Sequence, residues 1–139
     1  LPFFDFESYR GRLPWPVNGP VLTRFGRYQD PDLKTWTVKR GLNILASQGS
    51  KVFVVAPGEV VMIDWYVGYG QFVLIRHPGG FFTLYGHLES VLVNLEEILF
   101  QGSVLGTVGS TGRLDGQSQL HFEILIGEEA KDPELWLKK

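Results

Sequence analysis

Apolar and polar residues alternate in short runs along this chain, and glycine, proline or asparagine breaks the runs every few residues. Residues 52–55 and 60–63 are rich in β-branched side chains and flank Pro57-Gly58, which predicts two strands joined by a turn, the first of two hairpins. Residues 71–77 form another apolar run, Pro78-Gly79-Gly80 turns the chain, and residues 81–85 return as the second hairpin. Residues 104–108 and 120–126 supply two more strands, separated by a Gly- and Ser-rich stretch over 109–118. In the last of these, alternation puts Gln119 and His121 on one face and Leu120 and Phe122 on the other. Leu88, Val91, Leu92, Leu95, Ile98 and Leu99 fall at helical spacing, but flanking turn signals favour further strands. Near the N-terminus, residues 5–10 lack Gly and Pro and can hold a short helix. Pro14, Pro16, Asn18, Gly19 and Pro20 then force an extended approach to the first strand. Asp30-Pro31-Asp32 predicts a loop, and Asp132-Pro133 a last turn. The expected fold is mostly β.

Composition supports that expectation and bounds the function. With 139 residues, 44% hydrophobic and 20% charged, the chain reads as one soluble domain, with no linker or low-complexity segment dividing it. Its 17 Gly, 8 Pro and 14% aromatic residues suit short strands and turns. A chain of this length buries roughly two thirds of its unfolded surface, so its core needs no disulfide or structural metal. The absence of cysteine excludes thiolate zinc sites, iron–sulfur clusters and cysteine nucleophiles, without fixing the compartment. A net charge of -2 offers no field for nucleic acid or anionic lipid. The longest apolar run, over 52–64, is broken by Pro57, Gly58 and Glu59, and is shorter than the roughly 20 residues of a membrane span. The chain begins at Leu1, with no Met or basic region ahead of an apolar stretch, as a mature domain or fragment would.

Three histidines are the candidate chemistry. His77 precedes Pro78-Gly79 and is expected in a turn; His87 follows an apolar strand; His121 lies within the final strand. Taken singly, a histidine in a half-buried strand is more often a hydrogen-bonded packing residue than a ligand.

In order along the chain stand Lys39-Arg40-Gly41-Leu42-Asn43-Ile44, Ala56-Pro57-Gly58 and Gly68-Tyr69-Gly70. Tyr85-Gly86-His87-Leu88, Gly106-Thr107-Val108-Gly109-Ser110-Thr111-Gly112 and Gln119-Leu120-His121-Phe122-Glu123 follow. Together they resemble the LytM-type, or lysostaphin-like, zinc metallopeptidase domain, related to peptidase family M23, over about residues 14–136. The division that follows is an extension over 1–13 and a degenerate LytM domain over 14–139. The resemblance implies a single compact antiparallel β-sheet, sandwich-like, with a groove across it. Active members cut peptide bonds of peptidoglycan with a zinc held by a His-x-x-x-Asp motif and the second His of a His-x-His motif. Such even spacings put side chains on one strand face, and three protein ligands leave a position for an activated water.

At the decisive positions this sequence departs from that pattern. Lys39 stands where the family has its first zinc His, Asn43 where it has the Asp, and Gln119 where it has a catalytic His. His121, matching the third ligand, and His87, matching the other catalytic His, remain. An ammonium offers no lone pair and repels a dication, a neutral amide oxygen replaces a carboxylate poorly, and glutamine exchanges no proton. The resemblance therefore implies no zinc, no catalysis, and a vestigial site of Lys39, Asn43, His87, Gln119 and His121. On residue type alone, Lys39 among Asn43, Gln119 and His121 can stand in for the charge of the metal.

Gly11-Arg12-Leu13-Pro14-Trp15-Pro16-Val17, then Gly19-Pro20 and Phe25-Gly26, with residues 64–70 beyond, are similar to the EnvC-type murein hydrolase activators. In that group a degenerate LytM domain without zinc, usually preceded by a coiled coil, binds and switches on a peptidoglycan amidase. Trp15 and Trp65 are expected as core anchors. Trp36, Tyr66 and Tyr69 are expected at the rim of the groove. The implied partner-binding groove is then Trp36, Lys39, Asn43, Tyr66, Tyr69, His87, Gln119 and His121. The implied setting is the periplasm or extracellular cell envelope, in wall remodelling and cell separation. Two other functions stay open, a divergent zinc endopeptidase and a peptidoglycan-binding module. Residues 102–106 are also similar to biotinyl and lipoyl carrier domains, but no modifiable lysine in a hairpin turn accompanies them.

Overall fold

The structure is a computed structural model that describes residues 3–139. Leu1 and Pro2, where the extension and the possible N-terminal helix begin, lie outside the described residues. Among the described residues, the first seven strands are β1 (Val21–Thr23), β2 (Gly26–Gln29), β3 (Trp36–Lys39), β4 (Leu42–Leu45), β5 (Lys51–Phe53), β6 (Gly58–Tyr66) and β7 (Gly70–His77). They are followed by β8 (Phe81–Gly86), β9 (Leu88–Val91), β10 (Ile98–Leu99), β11 (Val104–Val108), β12 (Gln119–Ile126) and β13 (Glu129–Lys131). One large antiparallel sheet runs β1-β4-β12-β8-β7-β6-β10, with β13 paired to the end of β12. A three-stranded sheet, β5-β11-β9, packs across its inner face, and β2 and β3 form a separate two-stranded ribbon. The mostly antiparallel, sandwich-like expectation holds.

The core lies between the two sheets. Period-two alternation sends Leu120, Phe122 and Ile124 of β12, Val73 and Ile75 of β7, and Tyr85 of β8 inward, where they meet Val52, Leu88, Leu105 and Val108 of the smaller sheet. A smaller apolar cluster of Phe72, Leu84 and Leu125 sits on the outer face of the large sheet. The second hairpin forms as expected, β7 pairing with β8 from Val73↔Tyr85 to His77↔Phe81. Residues 88–99 are strands and turns, as the flanking signals favoured, with Leu92 and Leu95 exposed between β9 and β10.

Four expectations need correction. Strands β5 and β6 are not a hairpin. After β5 the chain crosses between sheets, with Val54, Val55 and Ala56 fully buried. The backbone of that crossing is satisfied elsewhere: Val54 N–H donates to Ser103, Gly102 N–H donates to Val54, and Val55 N–H donates to the Tyr85 hydroxyl. His77 is not a turn residue but the buried end of β7, bonded through Nδ1 to the Pro57 carbonyl and through Nε2 to Thr83 Oγ1, both at 2.7 Å. Trp65 is 52% exposed and anchors nothing in the core. Trp15 is half-buried against the core and donates its indole N–H to the Lys138 carbonyl. The N-terminal helix shrinks to one 3-10 turn, Glu7–Tyr9.

The segment set apart as an extension supplies core residues. Phe6 stacks on Phe81 with centroids 4.3 Å apart and packs against Trp136 and His77. Leu13 is fully buried and forms a parallel bridge with Leu137. Among the described residues, no helix is long and apolar enough to cross a membrane.

Candidate functional site

The outer face of the large sheet carries a polar cluster where β4, β12 and the end of β8 meet. Asn43 of β4 lies directly opposite His121 of β12, and His121 opposite Gly86 of β8. Gly41 lets β4 enter this close pairing, because a Cβ there would lie 2.2 Å from the Phe122 carbonyl oxygen. A line of hydrogen bonds follows. Asn43 Nδ2 donates to Gln119 Oε1 at 2.6 Å, Asn43 Oδ1 faces His121 Nδ1 at 3.0 Å, and Glu123 Oε2 faces His121 Nε2 at 2.8 Å. Each ring nitrogen of His121 thus lies within hydrogen-bond distance of an oxygen, and the one that carries the proton donates. Tyr69 stacks on the ring at 5.3 Å, nearly parallel.

His87 approaches from the turn between β8 and β9, its ring centroid 6.1 Å from that of His121. Its backbone is in the left-handed region, φ 61°, which costs a residue with a Cβ about 1–2 kcal/mol. Two backbone hydrogen bonds hold it there: His87 N–H donates to Tyr69 at 2.7 Å, and Gly109 N–H donates to the His87 carbonyl at 3.0 Å. His87 Nδ1 donates to the Thr111 carbonyl at 2.7 Å, leaving Nε2 without a protein partner toward the cleft. Burial pushes its pKa down to about 4, against the opposing pull of the Thr111 carbonyl, so the ring is neutral at pH 7. Gly70, at φ 63°, makes the approach possible, because a Cβ there would meet the Thr111 carbonyl at 2.0 Å.

These residues floor a cleft of about 200 Å³, walled by Lys39 and Arg40 on one side and by Gly68, Tyr69 and Arg113 on the other. Of the sequence-derived set, Lys39, Asn43, Tyr69, His87 and His121 line it. Gln119 is buried behind Asn43. Trp36 stands two residues before Val38 on the exposed β2–β3 ribbon, beneath the Arg27 guanidinium. Tyr66, at the end of β6, packs on Phe72 instead of facing the cleft. Lys39 makes no hydrogen bond or ion pair with Asn43, Gln119 or His121. The cation nearest the buried polar line is Arg40, whose Nε lies 3.7 Å from Glu123 Oε1.

Sequence reasoning passed over two residues here, Glu123 and Arg40. Glu123 continues the i, i+2 series of Gln119 and His121, so alternation alone placed it on this face. It is 1% exposed, and its Oε1 has no hydrogen-bond partner. Tyr69 is affected as well: burial first, and then the Glu123 charge, push its pKa up to about 12. Among the described residues, no group of three or more His, Cys, Asp or Glu side chains is placed to hold a metal ion.

Comparison with known proteins locates this architecture. The chain is 38% identical over 128 residues to murein hydrolase activator EnvC of Escherichia coli (strain K12), covering 92% of this chain and 29% of that protein. It is 39% identical over 113 residues to DD-carboxypeptidase/endopeptidase Mpg of Neisseria meningitidis serogroup B (strain ATCC BAA-335 / MC58), covering 81% of this chain and 26% of that protein. The chain therefore spans less than a third of either relative. A zinc-containing peptidase from Vibrio cholerae superposes with a TM-score of 0.81 at 24% identity, over 90% of this chain and 40% of that one, and so shares the fold. The model of peptidase family M23 matches residues 37–133, from the end of the ribbon through every strand that builds the cleft. Sequence match, relatives and fold agree, and the chain belongs to peptidase family M23.

Proposed function

We propose that this chain is a non-catalytic M23 domain that binds and switches on a peptidoglycan amidase during wall remodelling and cell separation in the cell envelope. The observation that carries the reading is the hydrogen bonding of His121. Its Nε2 is held by Glu123, and its Nδ1 faces the neutral oxygen of Asn43, whose own Nδ2 is bonded to Gln119, so no carboxylate stands at that nitrogen to share a metal. The remaining donor chemistry does not fit zinc either. Lys39 brings a positive charge to the cleft, and the Asn43 oxygen is neutral and already taken. Gln119 transfers no proton, so one of the two catalytic positions of the family has no acid–base group. The similarity to the Escherichia coli murein hydrolase activator EnvC supports this reading.

The second reading is a divergent zinc endopeptidase, and the Neisseria relative favours it. Three measurements on one preparation separate them: zinc content, cleavage of purified peptidoglycan by the chain alone, and stimulation of an amidase. The activator reading expects no stoichiometric zinc, no cleavage, and amidase stimulation. Chelator-sensitive cleavage by the chain alone would establish the endopeptidase. Retention on peptidoglycan without stimulation would establish a wall-binding module.

A further inference from the structure

The charges around the cleft do not balance. Lys39, Arg40 and Arg113 face a single carboxylate, Glu123. Arg113 is occupied by both oxygens of Asp115, at 3.2 and 2.7 Å. Arg40 lies beyond hydrogen-bond distance of Glu123, at 3.7 Å, and its other end reaches the Glu128 carbonyl at 3.4 Å. Lys39 has no carboxylate partner among the described residues. The cleft also holds two acceptors with nothing to accept, the buried Glu123 Oε1 and His87 Nε2.

Few ligands answer both features. An inorganic anion satisfies Lys39 and repels the acceptors. A sugar hydroxyl satisfies the acceptors and leaves the cation bare. A peptide residue with a side-chain carboxylate and a neighbouring amide N–H meets both.

We propose that the cleft is a subsite for an acidic residue of a protein partner. Its carboxylate is held by Lys39, with Arg40 as the second cation, and its amide N–H groups turn to Glu123 Oε1 and His87 Nε2. Val38, next to Lys39 in the cleft lining, gives an apolar contact to the adjoining partner residue. The inference rests on the reading that the cleft binds protein, and it names the chemistry recognised.

The probes are N-acetyl-aspartate N-methylamide and its neutral asparagine counterpart, titrated into the isotope-labelled chain while the His87 ring and Asn43 amide signals are followed by NMR. The aspartate compound is expected to shift both saturably at millimolar concentration, weakening with added salt, and the asparagine compound to shift neither. Lys39→Gln, an exposed substitution that leaves the circular dichroism spectrum unchanged, should weaken aspartate binding about tenfold. Equal response to the two compounds, no saturable shift, or unaltered binding in Lys39→Gln would overturn the subsite. Amidase stimulation is measured on the same samples. Stimulation without aspartate binding removes the subsite and leaves the activator reading standing, whereas aspartate binding without stimulation does the reverse.

Discussion

The large sheet carries a buried histidine network on each face, and the two end differently. On the inner face, Val55 N–H, the Tyr85 hydroxyl, Thr83 Oγ1, His77 and the Pro57 carbonyl form an unbroken chain of hydrogen bonds, roofed by Phe6. On the outer face, Gln119, Asn43, His121 and Glu123 begin in the same way, but the chain stops at a carboxylate oxygen with no partner. Each network centres on an imidazole; they differ in closure and in the carboxylate at which the outer one ends. A closed network holds strands in place, and an open one retains bonding capacity for something outside the fold.

The largest effect that would test this contrast lies between the two networks, in the apolar layer that separates them. Phe122→Ala removes a fully buried ring from the inner face of the strand whose outer face presents His121, and should cost about 3–5 kcal/mol in urea unfolding. A loss below about 1 kcal/mol would mean the two faces are not separated by a packed core.

The closed network should make stability depend on pH. Burial pushes the pKa of His77 down to about 4, below the 6.5 of an unfolded histidine. Between these values the unfolded chain binds the proton and the folded one does not. Stability is therefore whole above pH 6.5 and falls as the pH drops toward 4, by up to about 3 kcal/mol. His87 adds to the same fall, since burial lowers its pKa as well. Thermal melts across this range should show the slope, and His77→Gln should flatten it; an identical slope in the variant would assign the effect elsewhere.

The open side should respond in binding instead of folding. Trp36→Ala, on the exposed ribbon, is expected to reduce affinity for the amidase by about 2 kcal/mol, roughly thirtyfold, with melting temperature unchanged. Amidase stimulation that is indifferent to Trp36 would move the contact surface off the ribbon. The smallest expected change is the stability of His87→Gly. It relieves a left-handed backbone and forfeits one hydrogen bond, so the unfolding free energy should stay within about 1 kcal/mol of wild type. A large loss would show that His87 belongs to the closed kind of network after all.

What could be read from sequence was whatever depends on neighbours one to four residues away. The faces of β12, with Gln119 and His121 on the outer one, followed from alternation, whereas Asn43 came from the family resemblance. The errors concern partners distant in sequence. Pro57-Gly58 marks a change of direction correctly, yet it says nothing of β5 choosing β11, more than fifty residues on. His77 beside Pro78-Gly79 carries a turn signal, and what buries it is Pro57 and Phe6. Trp65 has the residue type of an anchor, but the β6–β7 pair runs on past the core and leaves it in solvent. Arg40 was invisible because its distance to Glu123 depends on how the ribbon meets the sheet.

The joined ends of the domain have a mechanical consequence. Leu13 bridges Leu137, and backbone bonds link Leu13 N–H to Trp136 and Lys138 N–H to Leu13. A pull applied at residues 13 and 137 enters and leaves at nearly one point, so the load falls on this short clasp. The strands that shape the cleft lie outside that path. Tension would peel Phe6 and Trp136 from the edge of the domain before it disturbed the register of β4 against β12.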